Sequence, residues 1–334
     1  EWGLRGDPAR VAAYLNQLIE KLLAAGETAA VLRLQEVRSG SSSSVSASAA
    51  GGGSRLPVDG ESRLALADEE TIEPDDWPVV LDAATRRRVD EFVEYVEKAD
   101  ELLAHGLEIA PSLITYGPPG TGKTQLARHI AGRLNMPLVV ARADTLISSY
   151  LGSTSKNLRS LFDHVAHRHC ILFLDELDAF AKLRDDQQEL GELKRVVVSL
   201  LQNLDKLDSH TVLLAATNHE HLLDPAIWRR FTYKIKLTPP ALAERSKLFN
   251  LFLGKHAADL NLDLLSEIAE GLPGSDIRVI CQDGIRDAFV RNNGQVNQER
   301  LIKFLIEGRL KREVSFEDPA PEVIKDIKAL APHF

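Results

Sequence analysis

The sequence predicts an α/β fold: a doubly wound parallel sheet, a C-terminal helical lid domain, and a small N-terminal helical unit. Three observations predict it. Residues 117–124 read Gly117-Pro118-Pro119-Gly120-Thr121-Gly122-Lys123-Thr124, a complete phosphate-binding loop between a strand-like run and a helix-like one. Two continuous apolar runs, Ile171-Leu172-Phe173-Leu174 and Val212-Leu213-Leu214-Ala215-Ala216, each end in polar residues. Such runs mark strands buried on both faces of a parallel sheet. Strands alternate with helical patterns up to Leu237, and Pro239-Pro240 then breaks the chain before a purely helical pattern.

The elements follow in order. Residues 1–38 predict a helical hairpin, with Val11, Leu15, Leu18, Ile19, Leu22 and Leu23 at helical spacing, Gly26 as a stop and Thr28 as a second cap. Two helices bury little surface alone, so the unit should pack on a partner, on another copy or on the body of the protein. Residues 39–58 predict a Ser/Gly/Ala-rich linker, whose flexible stretch 40–54 reaches roughly 20 Å by coil statistics. Residues 59–238 form the expected large domain. Within it, the acidic stretch 68–76 reads as an exposed connector. Residues 85–103 read as one long amphipathic helix with Val89, Phe92, Val93, Val96 and Leu103 facing inward. Residues 239–313 predict the helical lid, through Leu248, Phe249, Leu251, Phe252, Leu264, Leu265, Ile268, Ile280 and Phe289, and residues 314–334 a short tail.

The motifs carry the chemistry. Glycines let backbone wrap an anion and turn successive N–H groups toward it. Lys123 supplies charge for the outer phosphates, and the Thr124 hydroxyl is a ligand type suited to Mg²⁺. Leu113-Ile114-Thr115-Tyr116 precedes the loop as a strand, and Leu126, Ala127, Ile130 and Leu134 follow it at helical spacing. The helix N-terminus adds its own field to the anion site. Asp175 and Glu176 lie where a buried strand reaches solvent, the end at which ligands bind in open α/β sheets. Asp175 is placed for the Mg²⁺ shell and Glu176 to polarise an attacking water. Asn218 ends the next buried strand and would orient that water beside the γ-phosphate.

Together with Asp224-Pro225-Ala226-Ile227-Trp228-Arg229-Arg230-Phe231, these residues resemble the AAA ATPases, and within them the group containing spastin and katanin. The resemblance implies that Arg229 and Arg230 point into the neighbouring subunit's nucleotide site. Trp228 departs from the basic residue often seen just before the pair. Tyr150-Leu151-Gly152 resembles the aromatic–hydrophobic–glycine pore loop of protein-threading rings, where an aromatic ring offers sequence-tolerant contact on flexible backbone. The run 271–277, with Gly274 and Ser275, resembles the start of a lid helix bordering adenine, and also makes a plain helix cap. The matching motifs span roughly residues 80–310. The resemblance implies ATP and Mg²⁺ as cofactors and a homo-oligomer, a hexameric ring, that pulls protein clients through its centre. Bacterial-looking AAA proteins of this build can be encoded beside a subtilisin-like protease, which makes such a protease a candidate partner. No serine-protease triad or H-E-x-x-H motif occurs in the chain itself.

Composition sets further bounds. The 334 residues, 44% of them apolar, can bury large cores in two or three domains. The net charge of −9 argues against a general nucleic-acid binder. Cys170 and Cys281 read as small core residues, without disulfide or metal spacing. No apolar stretch approaches transmembrane length and no signal peptide is visible, so no membrane partner and a cytoplasmic location are expected. Two other function classes stay open at this point: an ATP-dependent binding regulator without threading, and a nucleic-acid motor.

Overall fold

A computed structural model describes residues 56–59, 65–74, 76–147, 151–166, 168–182, 190–291 and 294–315. The predicted N-terminal hairpin, its linker up to residue 55, Tyr150 and the tail beyond residue 315 lie outside the described residues.

Six strands form one sheet: β1 (Asp68–Glu70), β2 (Ser112–Tyr116), β3 (Leu138–Arg142), β4 (Cys170–Asp175), β5 (Thr211–Thr217) and β6 (Tyr233–Lys236), in the order β1-β3-β4-β5-β2-β6. All neighbours pair in parallel except β1, which runs antiparallel along β3 at the edge. Alternate residues of the apolar strands feed two separate cores, as the two-residue period of a strand requires. Ile114, Val139, Leu172, Leu174, Leu213 and Ala215 pack on one face under helices Leu151–Val165 and Leu190–Leu204. Leu113, Leu138, Ile171, Phe173, Leu214 and Ala216 pack on the other under helices Ala83–Glu97 and Lys123–Leu134. The doubly wound architecture therefore follows from apolar runs in the central strands that supply side chains to both faces of the sheet.

The helical C-terminal part comprises helices Leu242–Leu253, Leu262–Ile268, Gly274–Arg291 and Gln298–Ser315 around a third core of Phe249, Leu265, Ile277, Cys281, Leu301 and Leu305. Arg245 is buried there, donating from Nε to Ser266 O at 2.6 Å and from Nη1 to Pro240 O at 2.9 Å. It thereby ties the double-proline break to the helices beyond it.

Two expectations change. The single helix over residues 85–103 is two helices, Ala83–Glu97 and Ala99–Ala104, broken at Lys98, whose ψ of 8° leaves the helical range. The first is capped by Asp82, whose carboxylate accepts from the N–H groups of Ala84 and Thr85. The second leaves Leu103 exposed and buries Ala99. The acidic stretch is not a free connector. Residues 68–70 add an edge strand because distant arginines neutralise it: Arg128 forks onto Glu70 with two 2.8 Å bonds, and Arg168 reaches Glu69 at 2.7 Å. Among the described residues no helix is long and apolar enough to cross a membrane.

Candidate nucleotide site

β2 ends at Tyr116 and the chain turns directly into the glycine loop, which closes on helix Lys123–Leu134. Gly120 and Gly122 take φ of 80° and 96°, the left-handed region that glycine enters without penalty. The first turn of the following helix has no intrahelical acceptors for its N–H groups, so they face the loop as anion donors. The Lys123 ammonium bridges the loop from within, donating to Gly117 O at 2.7 Å and to Pro118 O at 2.8 Å. Burial pushes its pKa below the usual lysine value, while Asp175 and Asp178 pull it back up.

β4 and β5 deliver the second half. The Thr124 hydroxyl donates to Asp175 Oδ2 at 2.8 Å, which joins the loop to the acidic strand end. Glu176 follows with φ of 54°, a left-handed conformation unusual for a residue with a side chain, and its N–H donates to Asp175 Oδ1 at 2.9 Å. Backbone held in a disfavoured region at a site of chemistry is a recurring form of preorganisation. The Glu176 carboxylate lies 3.7 Å from the Arg142 guanidinium at the tip of β3. Asn218 sits just past β5, its N–H donating to Asp178 Oδ1 at 3.1 Å. Asp178 also accepts from the Thr217 hydroxyl at 3.1 Å and is 2% exposed.

The loop, Asp175, Glu176 and Asn218 open onto a cavity of about 770 Å³. Its polar end holds Gly120, Lys123, Thr124, Asp175, Glu176 and Asn218, with Pro119, Thr121 and Gly122 beside them. Its apolar end is built from Val79, Val80, Leu248, Leu251, Phe252 and Val279, a slot suited to a flat ring. Gly274 and Ser275 line the same cavity, and Ser275 N donates to Gly120 O at 3.1 Å, so the helical C-terminal part is bonded to the phosphate loop itself.

Of the other proposed site residues, Gly117 and Pro118 form the loop entry. Leu151 and Gly152 begin helix Leu151–Val165. Arg229 and Arg230 follow the short helix Pro225–Trp228 and do not line their own cavity. The two differ. Arg230 forks onto Asp205 with bonds of 2.9 and 3.0 Å, which hold that carboxyl below its usual pKa. Arg229 is exposed, and its guanidinium has no partner among the described residues.

Residues that sequence reasoning missed are Asp178, Arg142, Asp205 and Arg278, the last lining the cavity from helix Gly274–Arg291. Asp178 had a signal, lying two residues beyond the Asp-Glu pair on the same turn. Arg142 comes to the site through strand order and Arg278 through the packing of its helix, while Asp205 meets Arg230 away from the cavity.

The residues fit a magnesium-bound nucleoside triphosphate. A hydroxyl and a carboxylate lie within one hydrogen bond of each other, a hard-oxygen pair of the kind a small divalent cation takes. An ammonium and helix N–H groups cover the anion beside them.

A model of the ATPase family associated with various cellular activities (AAA) matches residues 113–239. An uncharacterized AAA family ATPase, y4kL, from Sinorhizobium fredii is 36% identical over 256 residues, covering 76% of this chain and 77% of that protein. The proteasome-activating nucleotidase of Saccharolobus solfataricus is 32% identical over 236 residues, and that of Saccharolobus islandicus 31% over the same length. Those two matches cover 68% of this chain and 60% of each nucleotidase.

Proposed function

The chain belongs to the AAA family of ATPases and hydrolyses ATP, and on that premise we propose that it works as a homo-hexameric ring that unfolds protein clients. The observation that carries the catalytic part is the 2.8 Å bond from Thr124 to Asp175, which brings the phosphate loop and the acidic strand end into one site. When bound, Mg-ATP supplies the phosphoryl group to be transferred and a cation that offsets its charge. Lys123 and the loop N–H groups would hold the outer phosphates, and Thr124 and Asp175 would hold the metal. Glu176 takes a proton from the attacking water, and Asn218, steadied by Asp178, orients it. The arginine pair lies off its own cavity, which favours service to a neighbouring copy. A trans arginine of this kind is worth about 10³ to 10⁵ in rate in well-studied phosphoryl transfer.

The division into a large domain, a helical lid over residues 239–313 and a recruiting N-terminal hairpin is part of the same reading. So is Tyr150-Leu151-Gly152 as the grip on a client chain. The relatives named proteasome-activating nucleotidases favour a protease as downstream partner, and the arginine pair after the Asn-tipped strand favours kinship with the spastin and katanin group.

The test pairs ATPase and client-unfolding assays on the same preparations. Glu176→Gln should retain ATP and lose turnover. Tyr150→Ala should hydrolyse ATP yet fail to unfold a client, because one gripping ring is worth about 1 to 3 kcal/mol of burial and stacking. Tyr150→Phe should be nearly silent. Parental unfolding by Tyr150→Ala would replace the threading reading with that of a binding regulator.

A further inference from the structure

The arginine pair is joined to its own subunit's phosphate loop by an aromatic contact. Trp228, the last residue of helix Pro225–Trp228, packs edge-on against Tyr116 with ring centroids 5.1 Å apart and planes at 73°. Tyr116 is the last residue of β2 and is followed directly by Gly117. Trp228 is followed directly by Arg229. The contact is therefore one peptide from the phosphate loop on one side and one peptide from exposed Arg229 on the other.

The rest of this loop is anchored. The Arg230 side chain is forked onto Asp205, and its carbonyl accepts from Ser112 Oγ at 3.0 Å. Thr232 N donates to the same hydroxyl at 3.0 Å, and Lys234 Nζ donates to Phe231 O at 2.9 Å while lying 5.9 Å from the Trp228 ring. With residues 230–232 held to β2 and to Asp205, the seat of Trp228 decides where Arg229 emerges. Trp228 is seated between the core beneath it and the edge of Tyr116. Tyr116 adjoins Gly117, whose carbonyl accepts from Lys123 at 2.7 Å. Lys123 is also the group that faces the outer phosphates, so engaging a phosphate competes with its bond to the residue next to Tyr116.

We propose that Tyr116 and Trp228 are a positioning pair through which the phosphate loop of one subunit sets the arginine that subunit offers to the next. The proposal rests on the trans-arginine reading above. It divides the pair of arginines as well: Arg229 is the group presented, and Arg230 with Asp205 is the anchor behind it.

The test uses the full chain, with Mg-ATP turnover and titration of a fluorescent ATP analogue on each variant. An aromatic pair of this geometry is worth enough to change a rate by about three- to tenfold. Trp228→Leu should lower kcat by that factor with KM and analogue affinity within about twofold of the parent, and Trp228→Phe should restore most of it. Tyr116→Leu should show the same loss, and the double variant should lose no more than either single one, as residues acting through one contact require. Should Trp228→Leu fold poorly, Tyr116→Leu and the Trp228→Phe rescue carry the same test. Additive losses, or parental kcat in either leucine variant, overturn the proposal. Arg229→Ala separates the two levels. If it keeps parental turnover, Arg229 is not the group presented and the proposal falls; if Arg230→Ala keeps it too, the trans-arginine reading itself falls. If it loses turnover while both leucine variants keep theirs, only the positioning pair falls.

Discussion

Gly117→Ala tests how tightly the phosphate loop is built into the sheet. Gly117 has φ of 139°, and a Cβ added there would lie 2.0 Å from Leu237 O and 3.1 Å from Leu237 C. The obstacle is backbone and cannot swing away, because Leu237 N donates to Tyr116 O at 2.8 Å and extends the β2–β6 pairing. Relief requires moving the end of that strand by on the order of 1 Å, since contacts under 3.0 Å do not persist. The positive φ costs an alanine about 1 to 2 kcal/mol. Displacing the strand costs about 1 to 3 kcal/mol more in overpacking, and loss of the Leu237 bond about 1 kcal/mol. The sum, about 3 to 6 kcal/mol, is a large part of the roughly 5 to 15 kcal/mol typical of a folded domain. Gly106→Ala is the control: its φ is 77°, but nothing lies within 4 Å of the added Cβ, so only strain remains. Urea unfolding of both variants and the parent measures the difference from the shift in midpoint at constant slope. Gly117→Ala should be less stable than Gly106→Ala by about 2 kcal/mol or more. Equal losses in the two variants would refute the close-approach argument.

Three further outcomes follow from the site and its surroundings. Lys123→Ala removes a cation with two loop acceptors, and should weaken binding of a fluorescent ATP analogue by about 10- to 100-fold, the worth of a charge-assisted bond. Asp178→Ala leaves two donors, the Thr217 hydroxyl and the Asn218 N–H, without their buried acceptor, at about 1 to 3 kcal/mol each. It should melt earlier and lower kcat with nucleotide affinity largely kept; a parental kcat would show that Asn218 needs no such support. The Arg128 fork holds the Glu70 carboxyl below its ordinary value of 4.5. A carboxylate depressed in the folded state stabilises above its unfolded pKa, and that contribution fades as pH falls through the folded value. Between about pH 5 and pH 3 the parent should therefore lose more stability than Glu70→Gln, read from melts at the two pH values. Parallel losses would show that the fork contributes nothing in solution.

What the sequence by itself determined is what contiguous residues can encode. The loop from Gly117 to Thr124 needs only its glycines, its lysine and a helix behind it. The runs 171–174 and 212–216 needed no partner to announce burial on two faces, because their apolarity is continuous. The Asp175-Glu176 pair and Asn218 were legible for the same reason, each being the polar tip of such a run. The break at Lys98 was less legible: the apolar spacing continues past it, and only the packing of Ala99 in place of Leu103 shows where the second helix turns. The tertiary structure alone decided which distant groups meet. Arg128 reaches Glu70 across 58 residues, Asp178 reaches Asn218 across 40, and Arg230 reaches Asp205 across 25. The acidic stretch looked like a solvated connector because its neutralising arginines lie far along the chain, Arg128 on a helix and Arg168 in the loop before β4. Two adjacent arginines looked equivalent, and they differ because β5 and the helix before it bring Asp205 beside one and not the other. Local propensity and periodicity act through the few residues around a position. Ion pairs and ring contacts act through space, and the order in which the strands lie in the sheet fixes who is near whom.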